Sequence, residues 1–203
     1  TLLIFLLCLE TDAEIHLSHQ IRAWRKRPWQ RYIFYDTVKW LSDYFNRTFI
    51  LHENFIPPEM EEPDTTYMYD EYGKWKPGNR IILRSYNEYI AYRENLNALY
   101  AAVNMNPDVE FEGRVVERDE GHLPPHFIHD GIHIIHPFIH TQKDWIVQQY
   151  YKNNIRDLLN LTRSCNGDIA DLDYKTYTPG QFVPTCGKCF WCKEREWAIE
   201  QNK

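Results

Sequence analysis

The chain has 203 residues, 43% of them hydrophobic and 15% aromatic, and a formal net charge of -6. That length supports one sizeable core with a small appendage, and that composition excludes an intrinsically disordered chain. The acidic balance argues against bulk attraction to nucleic acid or anionic membrane, so any basic surface has to be local.

The first nine residues, Thr1-Leu2-Leu3-Ile4-Phe5-Leu6-Leu7-Cys8-Leu9, are apolar. No basic segment precedes this run and no small-x-small site follows it, which argues against a signal peptide. It is also too short to span a bilayer. It reads as a buried helix whose N-terminal flank lies upstream of Thr1, with Cys8 an inert core thiol. Ala13 to Ile21 alternates polar and apolar residues, as a strand does. Arg22, Arg25, Lys26, Arg27 and Arg31 follow, interleaved with Trp24 and Trp29. That cluster suits either a phosphate or nucleic-acid surface or a solvated loop and first helical turn. Phe34, Val38, Leu41 and Phe45 predict a helix from Trp29 to Phe45. Arg47 to His52 reads as the next strand.

Residues 57–80 form an acidic, proline-rich excursion of the kind found in insertions that cover a site. A helix is predicted from Tyr86 to Met105, through Tyr89, Tyr92, Leu96, Leu99 and Val103, with Asn106-Pro107 as its stop. Val109 to Val116 reads as a strand, with Gly113 and Asp119 near a ligand-facing loop. Alternation of helix and strand predicts an α/β fold: a mostly parallel sheet with helices on both faces.

His122, His126, His129, His133, His136 and His140 are spaced 4, 3, 4, 3 and 4 apart. On one helix they would form a metal-binding stripe, but Pro124, Pro125, Gly131 and Pro137 break any such helix. They are read as loop and strand-end histidines, with His133 to Phe138 a strand. Thr141 is the expected cap of the next helix, which runs to about Asn154 and has Lys143 in its first turn. A cation there runs against the helix dipole and calls for a nearby anion or for solvent.

Four of the five cysteines lie within 28 residues: Cys165, then Cys186-Gly187-Lys188-Cys189-Phe190-Trp191-Cys192. Two residues between cysteines let a tight turn aim both sulfurs at one point, as a tetrahedral Zn²⁺ needs. A disulfide with spare thiols and an iron–sulfur cluster are the alternatives, but the x3-Cys-Pro continuation of a ferredoxin run is absent. A closed four-thiolate site has no open position, so the zinc is expected to be structural. A short helix is predicted from Glu194 to Glu200. Cysteine usage of this kind suits a reducing cytoplasm, and the sequons at Asn46 and Asn160 are read as chance. The chain divides into a core at residues 1–140 and a C-terminal helix and zinc segment at 141–203.

Pro137, Lys143, Thr162, Ser164-Cys165, the Cys186–Cys192 run, Arg195 and Ala198 occur in that order. Together they resemble the C-terminal third of the 7-cyano-7-deazaguanine synthase (QueC) family of PP-loop ATP pyrophosphatases. The resemblance implies a PP-loop (HUP-like) α/β core carrying a small four-cysteine zinc subdomain. It implies ATP with Mg²⁺, 7-carboxy-7-deazaguanine and ammonia as reactants, and no membrane partner. It leaves the subunit number open, with a homodimer among the options. It makes Lys143, and secondarily Arg163, the phosphate-binding candidates, and Cys165, Cys186, Cys189 and Cys192 the metal ligands. The family's Ser-Gly-Gly-x-Asp-Ser phosphate loop does not occur in these 203 residues, and Thr1-Leu2-Leu3 resembles the helix start that follows it. The first strand and the loop are therefore expected upstream of Thr1, and this chain alone is expected to be inactive. Two other readings remain: an enzyme joining a deazaguanine carboxylate to another amine or to a protein, and a zinc-bearing nucleic-acid module using the Arg22–Arg31 cluster.

Overall fold

The apolar run at the start folds as helix α1, Leu2–Glu10, with Leu2, Leu3 and Phe5 buried. The computed structural model describes residues 1–22, 29–56, 79–111, 123–165 and 185–203. Outside these lie residues 57–78 of the acidic excursion, Arg25, Lys26 and Arg27 of the basic cluster, Gly113, Asp119, His122 and most of the Cys165–Cys186 loop. Cys8 is half-buried, and burial raises its thiol pKa against the opposing pull of Arg47. No helix among the described residues is long and apolar enough to cross a membrane.

Strand β1, His16–Arg22, pairs in parallel with β2, Ile50–Ile56, with His16 opposite Ile50. Helix α2, Trp29–Phe45, connects them, as a parallel pair requires. It has the predicted bounds, and its Val38 and Leu41 are buried. The strand expected from Arg47 begins only at Ile50. Asn46 takes a left-handed φ of 48°, and the Arg47 amide donates back to the Ser42 carbonyl. The residues after Phe45 thus finish the helix instead of starting a strand.

Helix α3, Asn79–Arg93, ends twelve residues before the expected Met105. The reason is local. Asn95 adopts φ 54°, its amide donates to the Tyr92 carbonyl, and the Leu96 amide donates to Ala91. These two bonds close a Schellman turn, and an asparagine can hold its left-handed position. Leu96 then leads into β3, Ala98–Tyr100. The strand expected over Val109–Val116 is reduced, within the described residues, to an isolated bridge at Phe111.

Strands β4, His126–His129, and β5, Ile132–Ile135, form an antiparallel hairpin. Asp130 (φ 48°) and Gly131 (φ 83°) make the two-residue turn, whose twist needs positive φ at both positions. β3 lies parallel to β5, so this sheet has the order β3-β5-β4 and is mixed. The fold is a mixed α/β arrangement in which the described strands form two small sheets, not one large parallel sheet.

Helix α4 is Lys143–Lys152, α5 is Arg156–Leu161 and α6 is Phe190–Glu200. The α4 N-cap is Gln142 without a side-chain bond, so the expected Thr141 cap is not formed. Helix α5 has no counterpart among the predicted elements, and α6 begins four residues before its predicted start at Glu194. The largest core cluster joins Leu2, Leu3 and Phe5 to Leu41, Phe138, Val147, Tyr150, Ile155, Leu158, Leu159 and Ala198. It locks α1, α2, α4, α5 and α6 together. A smaller cluster joins Ala91 to Ile132 and Ile134.

Candidate metal centre

Cys165 and Cys192 are buried, and Cys186 and Cys189 are half-buried. The sulfurs of the four lie within 4.8 Å of one another. Four bonds of about 2.3 Å at tetrahedral angles place sulfur pairs roughly 3.8 Å apart. The Cys186 and Cys192 sulfurs are 3.8 Å apart. All five cysteines are free thiols, and a disulfide would need roughly 2.05 Å. The cluster can hold a metal ion, and its size and donor set are compatible with structural zinc.

Each ligand is placed by a specific local device. Gly187 takes φ 65°, the left-handed turn that a knuckle requires, and a Cβ there would meet nothing within 4 Å. The Cys189 amide donates to the Cys186 sulfur at 3.4 Å. Cys189 is the N-cap of α6, and its carbonyl accepts the amides of Cys192 and Lys193 at 2.9 and 3.1 Å. Cys189 and Cys192 therefore sit at the positive end of a helix dipole, which favours thiolate. The distant ligand is joined directly, as the Cys186 amide donates to the Cys165 sulfur at 3.4 Å.

The thiols are electrostatically unequal. Burial pushes Cys186 up, but amide bonds from Lys188 and Cys189 and hydrogen bonds from Cys165 and Cys189 outweigh it and lower its pKa to about 6. Burial pushes Cys192 well up, reinforced by its contacts with Cys189 and Cys165. A divalent ion would remove that inequality by binding all four as thiolates.

Cys165 follows α5, and α6 grips the end of that helix. Arg195 donates to the Thr162 hydroxyl at 2.8 Å and to the Leu159 carbonyl at 2.7 Å. Thr162 in turn donates to Leu159 at 2.7 Å. Burial lowers the Arg195 pKa, and Arg163 nearby adds to that.

Lys143 lies in the first turn of α4 and points at the same helix. Its Nζ donates to Glu194 Oε2 at 2.5 Å, with Glu194 fully buried and Lys143 15% exposed. The Lys143 ammonium also lies 5.7 Å from the centre of the Trp191 ring. The anion that a first-turn lysine calls for is thus Glu194, which is not among the predicted site residues. Its signal was available: Trp191, Glu194 and Ala198 share one face of α6, and a glutamate on an inward face needs a partner. Arg163 donates to the carbonyls of Thr162, at 2.8 Å, and Asn160.

Other residues singled out in the sequence lie apart from this centre. Arg31 makes a two-pronged ion pair with Glu53, both bonds 2.9 Å. His126 and His133 stack across β4 and β5 with nitrogens 2.9 Å apart, and His136 donates to the Pro124 carbonyl at 3.0 Å. One cluster went unremarked in the sequence: His16 and His52 meet at 2.8 Å across β1 and β2. Glu14 lies 2.8 Å from His16, and Arg93 lies 3.0 Å from His52. The two histidines occupy neighbouring parallel strands, a juxtaposition that only the pairing register reveals.

No protein-family model matches this chain, and no curated protein sequence matches it.

Proposed function

We propose that the chain is the greater part of a QueC-like ATP-dependent ligase. The observation that carries this reading is the convergence of the residues behind the resemblance. Cys165 lies 21 residues before Cys186 and 30 before Arg195, yet the cysteines and Arg195 form one unit, with Arg195 fastening α6 to the turn ahead of Ser164-Cys165. Lys143 reaches the same unit through Glu194. In this reading the sheets belong to a PP-loop core, and the first strand and Ser-Gly-Gly-x-Asp-Ser loop precede Thr1.

The proposed chemistry proceeds in three steps. The carboxylate of 7-carboxy-7-deazaguanine attacks the α-phosphorus of ATP, giving acyl-AMP and pyrophosphate. Ammonia displaces AMP to form the amide. The amide oxygen attacks the α-phosphorus of a second ATP, releasing pyrophosphate, and loss of AMP and a proton from the adenylated amide leaves the nitrile. Activation supplies a good leaving group, and Mg²⁺ with protein cations would hold the phosphates. The four cysteines hold zinc and shape the wall of the site without taking part in the steps. Lys143 and Arg163 are the phosphate candidates in this region. A direct contact by Lys143 requires the anion to compete with Glu194, so the pair itself is the element that phosphate would rearrange.

The test is incubation of the product of the whole gene with ATP, ammonia and 7-carboxy-7-deazaguanine. Nitrile with two AMP per product is expected, and the 203-residue chain alone should make none. Amide or a protein conjugate without nitrile would overturn the nitrile reading in favour of another acceptor.

A further inference from the structure

Four side chains from three parts of the fold form one hydrogen-bonded row. Glu14 Oε1 lies 2.8 Å from His16 Nε2, His16 Nδ1 lies 2.8 Å from His52 Nε2, and His52 Nδ1 lies 3.0 Å from Arg93 Nη2. The Arg93 end fixes every proton in the row. A guanidinium only donates, so His52 Nδ1 accepts and the His52 proton sits on Nε2. That N–H donates to His16 Nδ1. The His16 proton is then on Nε2, where it donates to the Glu14 carboxylate. All three bonds therefore run in one direction, through two neutral rings. The His16 side chain is 5% exposed and His52 is buried, while Glu14 is 70% exposed and Arg93 45%. The middle of the row is shielded from water, and both ends meet it.

The row ties the two sheets together. His16 and His52 belong to β1 and β2, and Arg93 ends α3, whose Schellman turn leads into β3. Neither β1 nor β2 contributes to the apolar cluster that Ala91 of α3 forms with Ile132 and Ile134. Helix α3 reaches β2 through polar bonds, from Arg93 to His52 and from the Tyr86 hydroxyl to the Glu53 carbonyl at 3.3 Å. A proton added at His52 Nδ1 would face the Arg93 N–H, and one added at His16 Nδ1 would face the His52 N–H. Either sets two donors against each other in a shielded place, which is costly. We infer that Glu14, His16, His52 and Arg93 form an acid-opened latch between the two sheets, closed by neutral imidazoles and released by one proton. Other charged groups face the pair. Glu94, bonded to Arg93 at 2.7 Å, favours a proton on His52, and Glu10 of α1 lines the same cavity as both rings. Burial, His16 and Arg93 outweigh Glu94 and hold the His52 pKa below 6.5. The folded state therefore binds this proton more weakly than the unfolded state. The latch is closed above about pH 6.5 and opens as pH falls through that value. The inference does not use the ligase reading.

Two measurements on the 203-residue chain test it without any activity. In nitrogen-15 spectra at pH 7, the His16 and His52 rings should each carry their proton on Nε2, with Nδ1 bare. Hydrogen exchange is then followed at the Glu94, Asn95 and Leu96 amides, which bond Ile90, Tyr92 and Ala91 at the end of α3. Corrected for the intrinsic effect of pH, their protection should fall roughly tenfold between pH 7 and pH 5, while amides within α2 keep theirs. His52→Asn leaves Arg93 an acceptor in place of Nδ1 and cannot take up a proton, so its protection should hold across that range. Arg93→Met removes the donor that closes the latch, so its protection should start low and stay low. A ring with its proton on Nδ1 at pH 7 would overturn the inference, and that result needs no variant to fold. So would an equal fall in His52→Asn, a wild-type response in Arg93→Met, or a fall in α2 as large as that at the end of α3.

Discussion

Arg195 and Thr162 are joined by a 2.8 Å hydrogen bond across 33 residues of sequence. The same guanidinium holds the Leu159 carbonyl at 2.7 Å, so one side chain of α6 fixes the end of α5. Cys165 begins its approach to the other sulfurs from that end. A lysine keeps the charge but cannot present two donors in a fixed fork. Arg195→Lys is expected to lose about 2 kcal/mol of stability, the usual range for charged hydrogen bonds. It should also release metal to a chelator faster. Unchanged urea midpoint and release rate would mean that Cys165 is positioned without Arg195.

The cysteine cluster yields a graded pair of outcomes. The purified protein should carry roughly one zinc per chain. Cys189→Ser should lose it and several kcal/mol of stability, because metal binding is coupled to folding. Gly187→Ala should keep the metal, since a Cβ there meets nothing within 4 Å. It should cost only about 1 kcal/mol, from placing alanine at a φ of 65°. Elemental analysis and thermal unfolding measure both. Equal losses in the two variants would contradict a ligand role for Cys189.

The centre was legible because cysteine spacing encodes it locally: two residues between sulfurs allow few geometries. Helix α2 was legible because Val38 and Leu41 face the core at helical spacing, and both are buried. Helix α3 was overextended because Leu96 and Leu99 continue its period by coincidence. The stop lies in Asn95, whose left-handed turn competes with a weaker signal than proline. Asn46 and Asn154 end α2 and α4 with positive φ in the same way. The inward place of Glu194 on α6 could be read from helical spacing, but its partner Lys143, 51 residues away, could not, and the His16–His52 pair was out of reach because it spans 36 residues.

The Lys143–Glu194 pair can be separated from a purely packing role. Glu194 is fully buried, so removing Lys143 takes away the ammonium that faces its carboxylate. Lys143→Met is expected to cost about 3 to 5 kcal/mol. Lys143→Met with Glu194→Leu should recover most of that, because a well-packed apolar pair can replace a buried ion pair. Urea unfolding of the two single variants and the double variant gives the coupling directly. Additive losses would show that the two side chains do not depend on each other.

Two histidines set the expected response to acid. Burial holds the His19 pKa below 6.5, with Arg31 lowering it further and Glu53 opposing. Burial also lowers His52, helped by His16 and Arg93 and opposed by Glu94. Both groups therefore bind protons more weakly in the folded state than in the unfolded state. Their contribution to stability is complete above the unfolded value of about 6.5 and is lost as pH falls through that value towards the folded ones. Metal release in acid adds to the same trend, so the informative quantity is a difference between variants. His19 stacks on Phe34 at 4.4 Å with the rings 7° apart, and its Nε2 is enclosed without a hydrogen-bond partner among the described residues. His19→Phe keeps the stack and removes that nitrogen. It should match or exceed the wild type by about 1 kcal/mol at pH 7. Between pH 7 and pH 5 its urea midpoint should fall less steeply, while metal release acts on both proteins alike. Parallel decline of the two would show that His19 is not charged at the expense of the folded state.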